Sequence, residues 1–339
     1  MAISNRLAIW LSTLLILAPL AAAQKYIVTD LGEFAGGAVS QGQSINTIGQ
    51  IAGYARFSNY NAHGFIWTAS TGLVDLGAFP PASDFSVAQG INSFGEVVGY
   101  SLHSGAIEQR GVLWTRGTMH SLGTLPGGTT SQANAINDLG QLTGYANGTK
   151  TGAAVHAVLW GRNGVIQDIG ALSGGYSQGD AINIQGEVIG YSITQDAKSH
   201  PIYWNKSAGL RALPYLSATD TRGWGLAINN LGQIAGGSDN NAVLWENDKA
   251  HTAVNLGILS GGWSTAYGIN DQGVVVGASG SAAFIWTQAQ GIVDLNTLID
   301  SNSGWTLGMA TAINNPGQIT GEGNYNGAQH AFLLTPVSQ

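Results

Sequence analysis

The side chains best suited to recognise a ligand are aromatic, and they fall at a repeated spacing. Phe85, Tyr176 and Trp263 each stand six residues before an Ile-Asn pair, in Gly/Ser-rich stretches. Trp224 and Trp305 occupy comparable stretches, and Asp84, Asp180, Asp220 and Arg222 lie close by in sequence. Amphipathic rings stack on flat partners, while carboxylates and a guanidinium hydrogen-bond hydroxyl groups. Together they suit a sugar. The same rings folded down onto the protein would be packing only. Asp220 with Arg222, joined by a carboxylate such as Asp180, would instead be the raw material of a lyase or hydrolase.

No other motif carries chemistry. His-Glu-x-x-His, a phosphate-binding loop and an EF-hand loop are all missing from the sequence. His63, His156, His200 and His330 share one position in a repeat. Equivalent positions of a ring lie far apart, whereas metal ligands must converge to about 2 Å of one ion. A hydrogen bond at a strand edge is the expected role, and no metal or cofactor is expected. Asp30, Asp75 and Asp168, each two residues before a Gly, should cap turns.

The elements that position these residues are copies of one unit. Ile-Asn-x-x-Gly-x-x-x-Gly recurs at Ile45-Asn46, Ile91-Asn92, Ile136-Asn137, Ile182-Asn183, Ile228-Asn229, Ile269-Asn270 and Ile313-Asn314. A regular period of this size marks a supersecondary unit repeated end to end. In each unit one strand runs to Ile-Asn. A tight Asn-x-x-Gly turn leads to a second strand such as 141–145. A third, such as His156-Ala157-Val158-Leu159-Trp160, is apolar on both faces, and a fourth closes at Gln167-Asp168-Ile169-Gly170. Strands covered on both sides read this way. Four short antiparallel strands per unit predict an all-β, seven-bladed β-propeller.

Lys25 to Gly32 resembles a fourth strand placed ahead of any full repeat, and the last repeat stops after its third strand. The N-terminal strand should therefore complete the last blade. First strands, rich in Ser, Gly, Ala and Gln, should line the axis. The fourth-to-first connections and the second-to-third loops should share one face. The recurring Trp67, Trp114, Trp160, Trp204, Trp245 and Trp286 should pack blade against blade. The second-strand glycines (Gly53, Gly99, Gly144, Gly190, Gly236, Gly277, Gly321) should let neighbouring rings approach.

The chain has 339 residues, a net charge of −7, no Cys, and only 9% charged residues. No basic stripe is present, which disfavours nucleic acid as a partner. Residues 1–23 read as a secretory signal, with Arg6 before an apolar stretch from Leu7 to Leu20 and Ala21-Ala22-Ala23 at the cleavage point. Residues 24–339 are then one secreted domain, extracellular or periplasmic, with no membrane span after cleavage.

The succession of Ile-Asn-x-x-Gly-x-x-x-Gly, His330-Ala331-Phe332-like tripeptides, Trp, Asp-Leu-Gly and Gly-Gly-x-x-Ser resembles the HAF-repeat family of secreted bacterial proteins over the whole mature chain. Individual copies drift: Arg110-Gly111-Val112 and Asn241-Ala242-Val243 replace the tripeptide, and Ala212-Leu213-Pro214 replaces Asp-Leu-Gly. The resemblance implies an extracellular protein and no specific activity. The expected function is a binding or scaffold module for extracellular carbohydrate or protein, with a carbohydrate-active enzyme at the axial mouth as the alternative.

Overall fold

The computed structural model describes residues 25–37, 39–58, 61–79, 85–103, 108–151 and 154–337. The leader expected at 1–23 and the candidate Asp84 lie outside the described residues. Seven four-stranded antiparallel sheets form a β-propeller, each sheet ordered from first strand to fourth. Blade 3 shows the pattern: Ser131–Ile136, Leu142–Ala146, His156–Trp160 and Ile166–Gly170. First strands contact the first strands of neighbouring blades and so surround the axis.

Blade 7 is built from both ends of the chain. Tyr26–Asp30 pairs with Ala328–Pro336, register Tyr26↔Pro336 to Asp30↔Phe332. The Val337 amide donates to the Lys25 carbonyl (2.9 Å). His330 Nδ1 lies 2.9 Å from Asp30 Oδ1, across 300 residues of sequence. The same His–Asp pair joins third and fourth strands at His63–Asp75 (2.9 Å) and His156–Asp168 (3.0 Å). Each of these Asp residues also caps the amide two residues on. In blade 4, where Ala212-Leu213-Pro214 has no Asp, His200 packs on Tyr215 instead, with centroids 5.1 Å apart.

Three devices bond blade to blade. The first is the tryptophan row. Trp67, Trp114, Trp160, Trp204 and Trp245 are buried. Trp114, Trp160 and Trp245 also donate Nε1–H to a carbonyl of the preceding blade, at Leu76, Leu122 and Pro214 (2.8–3.1 Å). The second is a Ser at or next to the start of most first strands. Ser40, Ser86, Ser131, Ser177 and Ser264 accept an amide of the preceding blade's third strand at 2.8–3.0 Å.

The third is a closed ring of asparagines. Each repeat Asn donates Nδ2–H to the backbone carbonyl of the next: Asn46 to Asn92, then Asn137, Asn183, Asn229, Asn270 and Asn314, and back to Asn46, at 2.8–3.4 Å. In six blades its Oδ1 meanwhile accepts two amides of its own turn, as Asn137 does from Leu139 and Gln141, while Asn314, with Pro316 two residues on, accepts the Gln318 amide alone. The turn glycine takes φ near +71° to +83° in all seven blades, a region L side chains avoid.

The second-strand glycines are required for a different reason from the one expected. A Cβ on Gly144 would sit 1.9 Å from the Gln132 carbonyl oxygen of the first strand, and all seven positions meet a first-strand carbonyl at 1.9–2.1 Å. A neighbouring ring is also close at Gly53 (Phe65) and Gly277 (Phe284), but the backbone is the common obstacle. It lies there because each first strand is bulged.

Candidate functional site

Every first strand breaks its register at the same place, two residues before the Ile. The residue skipped is Gln43, Gln89, Asn134, Asp180, Leu226, Tyr267 or Thr311 in blades 1 to 7. A bulge leaves one residue out of the ladder and re-aims its side chain. Here all seven line one axial cavity of about 400 Å³, joined by Gln41, Gln132, Gln178 and Met309 from one tier further out. The repeat Ile residues form an apolar collar beneath it, and a shallower mouth of about 180 Å³ opens among the Asn turns at the other end of the axis.

Around the outer tier, the second strands of blades 1 to 4 contribute Tyr54, Tyr100, Tyr145 and Tyr191, each opposite the first-strand residue four before the Ile. All four are half-buried. Burial raises their pKa values, and the proximity of neighbouring tyrosines adds to this at Tyr100 and Tyr145. A polar network runs inward from this arc. Tyr176 Oη donates to Gln178 (2.9 Å), and Gln178 Nε2 donates to Asp180 Oδ1 (2.6 Å). In blade 3, Tyr145 Oη donates to Gln132 (3.0 Å), and Gln132 Nε2 to Asn134 (2.7 Å). Asn134 reaches both the Gly179 carbonyl (2.8 Å) and Asp180 Oδ1 (3.5 Å).

Asp180 is the unusual member. Its Oδ2 is buried and receives no hydrogen bond from the protein. The residue is part of the cavity lining. Desolvation pushes its pKa up to about 7, against a smaller downward pull from Gln178.

The other residues singled out from sequence disperse. Tyr176 opens the first strand of blade 4 rather than lying in a loop, and stacks on Tyr191 (5.7 Å). Phe85, its counterpart in blade 2, lies against Tyr100 (6.1 Å). Trp305 begins the first strand of blade 7, stacked on Tyr325 (4.9 Å) and edge-on to Phe332. Trp224 is inside a strand, half-buried over Gly237. Among the five, Trp263 alone counts as exposed, at 38%. Asp220 and Arg222 are not a catalytic pair. Asp220 accepts from Ser238 Oγ (2.7 Å), and Arg222 Nε faces Asp239 (3.8 Å), so both tie a connection to a neighbouring turn. Neither lines the axial cavity with Asp180. The first-strand amides went unnoticed in the sequence, although a signal existed: buried Ser131, Ala133 and Ile136 break the two-residue alternation at Asn134.

A larger cleft of about 640 Å³ lies between blades 2 and 3 on the Asn-turn side, walled by Trp160 and Leu142. Its two arginines, Arg116 and Arg162, are exposed, and no buried polar group points into it. It has none of the axial cavity's converging polar groups.

No family model and no curated protein matches this chain. Solved structures do. YCF48 bound to D1 peptide is similar at TM-score 0.53 and 11% identity, over 94% of this chain and 97% of that one. The extracellular domain of the one-component system BT4673 from B. thetaiotaomicron is similar at 0.50 and 7% identity, over 91% of this chain and 40% of that one. Puromycin hydrolase is similar at 0.50 and 11% identity, over 87% and 51%. At such identities the likeness shows the fold, a β-propeller, and nothing finer.

Proposed function

We propose that this propeller is a secreted binding module whose axial cavity takes a carbohydrate. The observation that carries the reading is the ring of bulged residues. The same backbone irregularity in seven blades turns seven side chains toward one cavity, and those side chains are of six types. A purely structural bulge would favour one residue type. Amides dominate the lining, with Gln41, Gln43, Gln89, Gln132, Asn134 and Gln178, and an amide both donates and accepts, as recognition of sugar hydroxyls requires. Leu226, Tyr267 and Met309 add apolar surface. The volume fits the roughly 300–1,000 Å³ of small-ligand sites. Glycoside hydrolysis ordinarily needs two carboxyl groups, and Asp180 is the one carboxyl among the lining residues, which favours binding over turnover.

Glycan-array screening with product analysis tests the reading. Binding without cleavage, weakened by Gln89→Ala, is the expected result. Product release would support the enzymatic alternative. Binding that is indifferent to Gln89 would move the site away from the axis.

A further inference from the structure

Asp180 leaves a question that a neutral sugar does not answer. It is a carboxyl group at the floor of a polar cavity, and only amides hold it: Gln178 and Asn134 both reach Oδ1, and neither reaches Oδ2. No Lys, Arg or His is among the residues lining the cavity. A buried carboxylate without a countercharge is costly. A buried oxygen without a donor costs further. Proteins ordinarily supply both from their own side chains. Asp180 is one of the residues that line the cavity, so the unpartnered oxygen lies beside it.

We propose that the axial cavity selects an amino sugar with a free, protonated amine, and that the Asp180 carboxylate receives the ammonium through Oδ2. The proposal rests on the carbohydrate reading above and narrows it to a ligand class. A sugar hydroxyl offers Oδ2 a donor but no charge. An ammonium offers both, with further N–H groups for a neighbouring acceptor such as the Gln178 side-chain oxygen. Tyr267, which lines the same cavity, presents a ring whose face attracts cations. The amides on the other blades remain for the uncharged hydroxyls. Burial raises the Asp180 pKa, and a cation beside the carboxyl would favour its ionised form.

The test compares three disaccharides by titration calorimetry on the full-length protein at neutral pH: a glucosamine disaccharide, its N-acetylated counterpart and a neutral glucose disaccharide. N-acetylation keeps the rings and removes the charge. The glucosamine disaccharide should bind at least about tenfold more tightly than either neutral one, as a charge-assisted hydrogen bond predicts. Asp180→Asn should cut that affinity on the order of ten- to a hundredfold and so narrow the gap between the glucosamine disaccharide and its N-acetylated counterpart. The wild-type comparison needs no variant, so it decides the matter even if Asp180→Asn misfolds. Equal affinities, or tighter binding of a neutral disaccharide, overturn the amine and leave the carbohydrate reading standing. No binding of any saccharide removes both.

Discussion

Asp180→Asn should change stability in a way that depends on pH, and the sign follows from linkage. The Asp180 pKa is raised from 3.8 to about 7 in the folded protein. Between those values the folded chain holds more protons than the unfolded one, so this group's contribution falls as pH rises and is fully lost above about 7. At about 1.36 kcal/mol per unit, the penalty is roughly 1.6 kcal/mol at pH 5 and about 4 kcal/mol at pH 8, as an upper bound. Asn cannot ionise. Whatever its fixed effect on packing, the stability difference between variant and wild type should shift in the variant's favour by about 2–3 kcal/mol from pH 5 to pH 8. The residues facing the carboxyl do not interfere: Gln178 and Asn134 do not titrate, and burial holds Tyr176 and Tyr191 above the window. Glu322, with a raised pKa, and His251, with a lowered one, are present in both proteins and cancel. Urea unfolding at pH 5, 6, 7 and 8 measures the effect directly. In thermal melts it should be a divergence of about 4–6 °C, at roughly 2 °C per kcal/mol. Parallel curves for the two proteins would show that Asp180 is solvated in the native state, and the account of the cavity floor would be wrong.

Asn314→Ala removes the donor to the Asn46 carbonyl and the acceptor for the Gln318 amide, and should cost about 2–3 kcal/mol in denaturant unfolding. Thr47→Ala, at an exposed neighbour of the ring, should stay within about 0.5 kcal/mol. Trp160→Ala should cost about 3–5 kcal/mol, since the ring is 1% exposed and its N–H bonds the preceding blade; an unmoved midpoint would contradict the packing. Trp263→Ala, by contrast, should leave the melt nearly unchanged. Deleting residues 25–31 strips Ala328–Pro336 of its outer partner, and size-exclusion chromatography should then show aggregates, because the exposed edge is free to pair.

The sequence repeats made the blade count, the strand order and the closure legible, because each depends on a pattern that recurs. A strand-edge hydrogen bond for His63, a turn cap for Asp75 and the packing of Trp160 against its neighbour were readable for the same reason; that the His and the Asp bond each other was not. The site was less legible because it sits where the repeats differ. Gln43, Asn134, Asp180, Leu226 and Tyr267 share a place and not a type, so repetition hides them. Phe85 and Tyr176 drew notice as aromatics in polar stretches. Their partners, Tyr100 and Tyr191, lie 15 residues on, across a hairpin whose pairing had to be known first. Asp180 stands out in the sequence by its charge, while its unpartnered oxygen depends on where two amides from different strands stop short.

The asparagine ring also fixes how many blades the protein can have. Every link is the same bond between the same atoms, at 2.8–3.4 Å, whether 41 or 46 residues of chain separate the partners. Identical links repeated around an axis close only if each turns the chain by the same fraction of a circle, about 51° for seven. Loop lengths are therefore free to drift while the angle is not. Inserting an eighth repeat would require every link to open to about 45° at once, not only the two beside the insertion. Such a chain has two outcomes: a ring strained at all of its asparagines, or a ring that leaves the extra repeat outside. The geometry of one side-chain amide thus acts as a gauge of copy number, and duplication of a single repeat meets resistance from the whole circle.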